Sequence, residues 1–590
     1  MNDIRRTILW VIFGFSMVLL WDQWQVYNGQ KATFFPAPAK STAPAAGTAD
    51  GTPPAVVPAA GQAGASDVPS STSRANGAAS GALPPGGAVA GSATPAREKI
   101  VVSTDVLKLT FDTEGASLVK AELLRHIDMA DKAKNFVLLD DSRERVYLAQ
   151  TGLIGAPAGA APFPTHKTVM TMLPGDRSLK DGSNELVVRF ESPEQGGVKV
   201  VKTWTLKRGA YDIAVKHEII NTSGTPVSPQ LYLQLVRDGN KPEGESAFYS
   251  TFTGPAVYTN EKKYQKVEFS DIEKNKADFE KQANDGYVAM VQHYFASAWI
   301  LGGAAGPDGK SQPLKRDLFM RKVDTNLYAV GMIATVENIA PSASKSLDAV
   351  FYVGPQEENK LEALAPGLEL VKDYGWLTIL AKPLYWLLDQ LQSYIGNWGW
   401  SIMALVLLIK IAFYWLTAKG YESMGKMKAV NPKIMEMRER LKDKPQEMQQ
   451  EMMRIYREEK VNPMGGCLPM LVQIPVFIAL YWVLLSTVEM RNAPWALWIH
   501  DLAAPDPFFI LPLVMTLTTL VQTALNPAPP DPMQAKLMWI MPMAFSVMFF
   551  FFPSGLVLYW ITNNVLSIAQ QWIINTRMGV PPQFNLPKFK

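Results

Sequence analysis

One lysine stands where lysine is expensive. Lys410 interrupts GNWGWSIMALVLLIKIAFYWLTAK, twelve residues after Trp398 and eight before Ala418. An ionised amine near the middle of an apolar span costs ~2.5–3.5 kcal/mol, so it requires a partner, a water-filled cavity or a route to the interface. At ~1.5 Å per residue the inner end is ~12 Å away, a distance that a snorkelling lysine stem only partly covers. Other apolar stretches place polar groups at similar depth: Gln473; Thr516, Thr518, Thr519 and Gln522; Thr562, Asn563 and Asn564; with Gln570 and Gln571 further inward. Singly, such groups join membrane helices at ~0.6–2 kcal/mol each. Together with a lysine they hydrate a shared interior. The cores of these stretches contain no acidic residue, so the positive charge is left for a group that arrives from elsewhere.

Other chemistries find little support. A single cysteine, Cys467, excludes an intramolecular disulfide and any cysteine-based zinc or iron–sulfur site. The histidines His126, His166, His217, His293 and His500 are scattered, with no HExxH spacing. We expect no metal, no cofactor and no catalytic residue. A net charge of +3 over 590 residues gives no sign of direct nucleic-acid binding.

The elements that must position Lys410 follow from composition. With 48% hydrophobic and 19% charged residues, part of the chain belongs in lipid. Residues 1–30 carry Arg5 and Arg6 before the apolar run Ile8 to Trp21 and read as an uncleaved transmembrane anchor, the alternative being a cleaved signal. Residues 31–96, rich in Ala, Pro, Gly, Ser and Thr, cannot bury a core and form a disordered tether. Residues 97–355 show period-two patterns, as in Leu107, Leu109 and Phe111, in Val198, Val200, Trp204 and Leu206, and in Tyr211, Ile213, Val215 and Ile219, while Leu231 to Arg237 alternates more weakly. Those are strands of a large antiparallel β-sandwich. No phosphate loop or nucleophile elbow occurs in them.

Residues 356–396 read as a connector and an interfacial amphipathic helix. Five apolar stretches follow, at 397–418, 464–488, 508–525, 537–552 and 555–575. Their lengths approach the ~20 residues a helix needs to cross hydrocarbon, and with the anchor they predict six spans. The intervening segment 419–463 holds eleven lysines and arginines, against Arg491 alone in 489–507. The basic segment is therefore predicted to be cytoplasmic, with the N-terminus, the short loop 526–536 and the tail 576–590 on the same side and the sandwich periplasmic. Within 419–463, Ile434, Met437 and Leu441, then Met448, Met452, Ile455 and Tyr456, fall at helical spacing on either side of Lys442 to Pro445. This predicts a helical hairpin. Its methionines form either an adaptable outward face or the packing between its arms.

The motifs GNWGWS, NPKIMEMRERL, VNPMGGCLPMLVQIPVFIALYWVL, ALWIHDL, DPMQ and FPSGLVLYW, in this order, resemble the YidC branch of the insertase family over about residues 354–578. The layout of anchor, tether and sandwich is similar to the family's Gram-negative form. The resemblance implies a non-enzymatic inner-membrane insertase and folding chaperone for nascent membrane proteins, acting alone or beside the Sec translocon. It also implies contact of the hairpin with the ribosome or the signal recognition particle receptor, and contact with membrane lipids. Its substrate groove maps to Lys410, Gln473, Tyr559 and Trp560, and its hydrophobic slide to Ile474 and Phe477. The family's groove charge is usually arginine, so Lys410 keeps the charge and loses the planar fork. A threonine common in relatives is Val406 here. The alternative reading is a small-solute transporter or channel, since buried polar residues also mark conduction paths. A third is a tethered periplasmic enzyme, for which the later spans are excessive.

Overall fold

The computed structural model describes residues 69, 97–128, 131–242, 251–302, 314–441, 444–459, 468–526, 532–577, 579 and 584. The N-terminal anchor, nearly all of the tether and most of the C-terminal tail predicted above lie outside the described residues.

The alternating strands build two nine-stranded antiparallel sheets. One runs from edge to edge through Lys99–Ser103, Leu107–Asp112, Ser117–Ile127, Asn135–Asp141, Val146–Ile154, Gln230–Asp238, Leu327–Thr335, Arg316–Asp324 and Gln282–Ala283. The other runs through Lys263–Lys266, Gly254–Thr259, Tyr287–Gln292, Phe295–Leu301, Ser344–Pro355, Asp212–Asn221, Val198–Lys207, Glu185–Glu191 and Thr171–Met172. Their inner faces share a core in which Trp204, Trp299 and Phe351 pack ring against ring. Polar stitches cross it: Trp299 Nε1 donates to the Gln234 carbonyl at 3.2 Å, and the Tyr147 and Ser297 hydroxyls meet at 2.6 Å. The weak alternation of Leu231 to Arg237 has a plain cause. The strand is central and buried on both faces, so neither side of it has to be polar.

Two polar residues occupy inward positions that the period-two reading passes over. Lys202 lies between Val200 and Trp204, and His217 lies between Val215 and Ile219. They are register partners on adjacent strands and both are fully buried. Lys202 Nζ donates to the carbonyls of Gly115 at 2.6 Å and Thr151 at 2.8 Å, and His217 Nε2 lies 3.0 Å from Thr151 Oγ1. Burial pushes the lysine down to about 7. It pushes the histidine down to about 3, with the neighbouring lysine adding to the effect. Loss of hydration disfavours both charged forms.

After the sandwich come α1 (Glu358–Leu364) and α2 (Thr378–Ile395). The remaining helices are α3 (Trp398–Ala412), α4 (Tyr414–Arg440), α5 (Pro445–Glu458), α6 (Leu468–Ser486), α7 (Ile510–Leu525), α8 (Pro532–Met548) and α9 (Ser554–Arg577). α9 packs against α3, α4, α6 and α7; α2 lies on α3 and α6; α8 leans on α7. Among the described residues no single helix is long and apolar enough to cross a membrane, but Trp398–Ala412 and Tyr414–Met427 together would be, bent by 67°. The stretch read as one span at 397–418 bends at Phe413. Thr417 Oγ1 donates to the Phe413 carbonyl at 3.0 Å, a side-chain bond of the kind that bends helices.

Candidate functional site

The break at Phe413 changes the setting of Lys410. It stands in the last turn of α3, close to that helix's terminal carbonyls, where a cation is favoured by the helix dipole. Its Nζ donates to Ser567 Oγ at 2.8 Å, and that hydroxyl in turn donates to the Asn563 carbonyl at 2.6 Å. Across the same space Gln473 Nε2 donates to Asn563 Oδ1 at 2.8 Å. No carboxylate pairs with Lys410 among the described residues. Lys410, Gln473 and Asn563 line a cleft with Val406, Ile409, Phe413, Leu416, Thr417, Val476 and Tyr559, drawn from α3, α4, α6 and α9. Its free volume is about 30 Å³, enough for a water and far too small for a polypeptide.

A second and larger space adjoins it. Phe477, Tyr481, Met515, Met541, Phe545, Phe549 and Trp560 are among the residues bounding an apolar crevice of about 1100 Å³ between α6, α7, α8 and α9. Phe477 meets Trp560 edge-on at 4.8 Å and lies 5.8 Å from the Tyr559 ring. Tyr559 and Trp560, grouped together on sequence, thus look into different spaces. Neighbouring residues on a helix point ~100° apart, so Tyr559 faces the polar cleft while Trp560 faces the crevice. Ile474 lines neither and is half exposed. Met538, Met541 and Met548 of α8 line the crevice. They supply unbranched, polarizable walls that adapt to varied side chains.

The polar residues at depth separate in the same way. Asn563 serves the cleft, whereas Asn564 Nδ2 donates to Thr518 Oγ1 at 3.2 Å and Thr519 Oγ1 at 2.9 Å, and Gln571 Nε2 donates to the Leu525 carbonyl at 3.3 Å. Those bonds fasten α9 to α7. Ser567 escaped the sequence reading, and its position four residues after Asn563 was the available signal.

The opposite end of the bundle is closed by an ordered loop. Asn397 caps α3 and donates through Nδ2 to the carbonyls of Pro494 and Trp495, both at 3.1 Å. Buried Asp506 accepts from Trp498 Nε1 at 3.0 Å, from the Phe508 amide at 3.0 Å and from the Leu511 amide at 2.7 Å. Ser554, just after the turn-forming Pro553, donates its amide and its hydroxyl to the Ala504 carbonyl. The sandwich docks onto this loop. The Arg491 guanidinium packs over Phe136, Tyr294 and Phe295 and donates to the Ile127 carbonyl at 2.8 Å. Buried Lys372 lies 3.6 Å from Glu489 and 3.7 Å from the Tyr385 ring centroid. Burial lowers the lysine's pKa.

At the other end, α4 and α5 pair as two antiparallel arms. Val430, Ile434 and Met437 are buried against Met427, Met448, Met452, Ile455 and Tyr456. Most of the methionines therefore join the arms to each other. Met435 and Met453 remain exposed. Among the described residues no cluster of His, Cys, Asp and Glu could hold a metal ion.

Comparison with known proteins covers almost the whole chain. A family model described as the YidC periplasmic domain matches residues 99–387, and one described as 60Kd inner membrane protein matches residues 390–580. A protein of Ralstonia nicotianae named membrane protein insertase YidC is 53% identical over 577 residues, 98% of this chain and 98% of its own. A protein of the same name from Janthinobacterium is 50% identical over 593 residues, 98% of this chain and 100% of its own. A crystal structure described as an active YidC insertase with its first transmembrane domain resolved aligns with 81% of this chain and 92% of its own, at 19% identity and a TM-score of 0.35.

Proposed function

The chain belongs to the YidC family of membrane protein insertases, and from that premise we propose that it inserts nascent chains by way of the Lys410 cleft and the crevice beside it. Its activity is non-enzymatic insertion at the inner membrane, with a periplasmic domain attached. In the proposed route, the apolar segment of a substrate lies against Phe477, Trp560 and the α8 methionines. The polar segment that must cross is drawn through the cleft past Lys410, Gln473 and Tyr559. A hydrated cleft shortens the hydrocarbon path for polar groups. Without a carboxylate partner among the described residues, the lysine attracts acidic side chains in transit. No bond needs to be made or broken.

The observation that carries this reading is the adjacency of the two spaces. α6 and α9 wall both spaces, and Phe477, Tyr559 and Trp560 meet at the contact between these two helices, so the cleft and the crevice lie on the two sides of one helix pair. The termini and the hairpin are read as cytoplasmic and the chain as crossing six times, on the strength of its lysine and arginine distribution. Within this topology the hairpin's outer face suits contact with the ribosome or the signal recognition particle receptor, and the bundle suits contact with the Sec translocon. Ile474 is read with Phe477 as part of the slide, on the family resemblance alone. Purified protein in liposomes, given a short single-spanning substrate, should protect that substrate from protease in proportion to the insertase present. Empty liposomes giving equal protection would overturn the proposal.

A further inference from the structure

A third recess, on the face of α4 opposite the cleft, has no place in the route just described. It measures about 670 Å³ and lies between the first turns of α4 and the end of α9. Tyr414 and Trp415 form an aromatic wall, Lys419, Lys426 and Arg577 bring positive charge, and Glu422 brings negative charge. Glu422 is spoken for by Lys426, 2.8 Å away. Lys419 rests its ammonium 3.9 Å from the Trp415 ring centroid, and among the described residues neither it nor Arg577 has a carboxylate partner. Three basic groups and one acid leave two positive charges around one cavity.

We propose that this recess binds the headgroup of an anionic phospholipid in the cytoplasmic leaflet, with the phosphate between Lys419 and Arg577. Charge complementarity is the first support. A guanidinium fork matches phosphate oxygens, and an ammonium beside it adds a second donor. Placement is the second. Tyr414 and Trp415 are well exposed immediately after the bend, as amphipathic rings are at the headgroup level. The same rings would line the first methylenes of the lipid. Because α4 and α9 both contribute, a bound headgroup bridges them and holds the bent arm against the bundle. Lipid composition would then bias the orientation of the hairpin relative to the cleft.

The inference rests on the cytoplasmic placement of Lys419 and Arg577, and its test separates the two. Native mass spectrometry of the purified full chain would count bound phosphatidylglycerol and phosphatidylcholine. Phosphatidylglycerol should be retained preferentially. The Lys419→Gln/Arg577→Gln variant should bind it about tenfold more weakly, with phosphatidylcholine unchanged, since each basic residue near an anionic surface contributes measurably. Restoration by Lys419→Arg/Arg577→Lys would confirm the role of charge. Equal phosphatidylglycerol binding by the native chain and the Gln variant would overturn the proposal, as would displacement by inorganic phosphate at matched concentration. For the placement itself, Glu422→Cys in a Cys467→Ser background should react with an impermeant maleimide in inverted vesicles only. Labelling from the periplasmic side overturns the topology; cytoplasmic labelling without lipid preference overturns the lipid site alone.

Discussion

Replacing Lys410 by alanine removes a charge whose effect can be estimated from its surroundings. The ammonium is held by Ser567 and faces a cleft with room for water. A substrate carboxylate brought to ~4 Å would gain ~1 kcal/mol if the cleft behaved as bulk water and ~4 kcal/mol at the effective dielectric of a protein surface. A narrow, hydrated cleft lies nearer the lower limit, at ~1–2 kcal/mol. At ~1.4 kcal/mol per factor of ten, Lys410→Ala should slow insertion of a substrate with acidic residues in its translocated segment by about five- to thirtyfold. A neutral version of that segment should change little. Lys410→Arg should stay within a few-fold of the native chain, and Lys410→Glu should be worse than alanine for acidic segments. Substrates with lysine in place of aspartate should regain part of the loss. The assay is protease protection in proteoliposomes at matched insertase density, with initial rates compared. Equal rates for acidic and neutral segments across all three variants would refute the reasoning and leave Lys410 as a charge that reaches water for its own hydration.

Other consequences concern stability and the hairpin. Lys202 titrates near 7 in the folded sandwich and near 10.5 when unfolded, so between these values the unfolded state binds more protons and stability rises with pH. The melting temperature of the full chain should climb from pH 7 to pH 9, and Lys202→Met should flatten that rise; an unchanged slope would contradict the assignment. Asp506→Ala leaves three donors without their acceptor, and at ~1–3 kcal/mol per buried unsatisfied group it should lower the melting temperature by several degrees in a thermal scan. Met435→Gln with Met453→Gln alters the exposed methionines and spares those that join the arms. Ribosome co-sedimentation should weaken while the helical content measured by circular dichroism stays constant.

Much of this was legible in the residues, and the gaps have physical causes. Alternation marked the strands because one face of each sheet is buried. The same alternation puts Lys202 and His217 on the inward face by position but could not say what makes their burial tolerable, since that depends on the Gly115 and Thr151 carbonyls and the Thr151 hydroxyl supplied by another part of the fold. The lysine inside the apolar run was visible, but its place at the end of a helix was not. The bend at Phe413 involves no proline or glycine, only a threonine hydroxyl four residues on. The family resemblance put Tyr559 and Trp560 in one groove, whereas helix rotation sends them to different spaces. The docking of Arg491 into an aromatic box of the sandwich joins residues hundreds of positions apart, beyond the reach of local pattern.

The central claim is that a substrate occupies the cleft and the crevice together. It is tested most directly by stalling a single-spanning substrate on the ribosome and photo-crosslinking it from probes placed one at a time in the insertase. Probes at Val406 and Gln473 should capture the polar segment. Probes at Phe477 and Met541 should capture the apolar segment of the same intermediate, while Leu517, exposed on another face of α7, should capture neither. Substrate adducts at Leu517 with none at Gln473 or Phe477 would contradict the account.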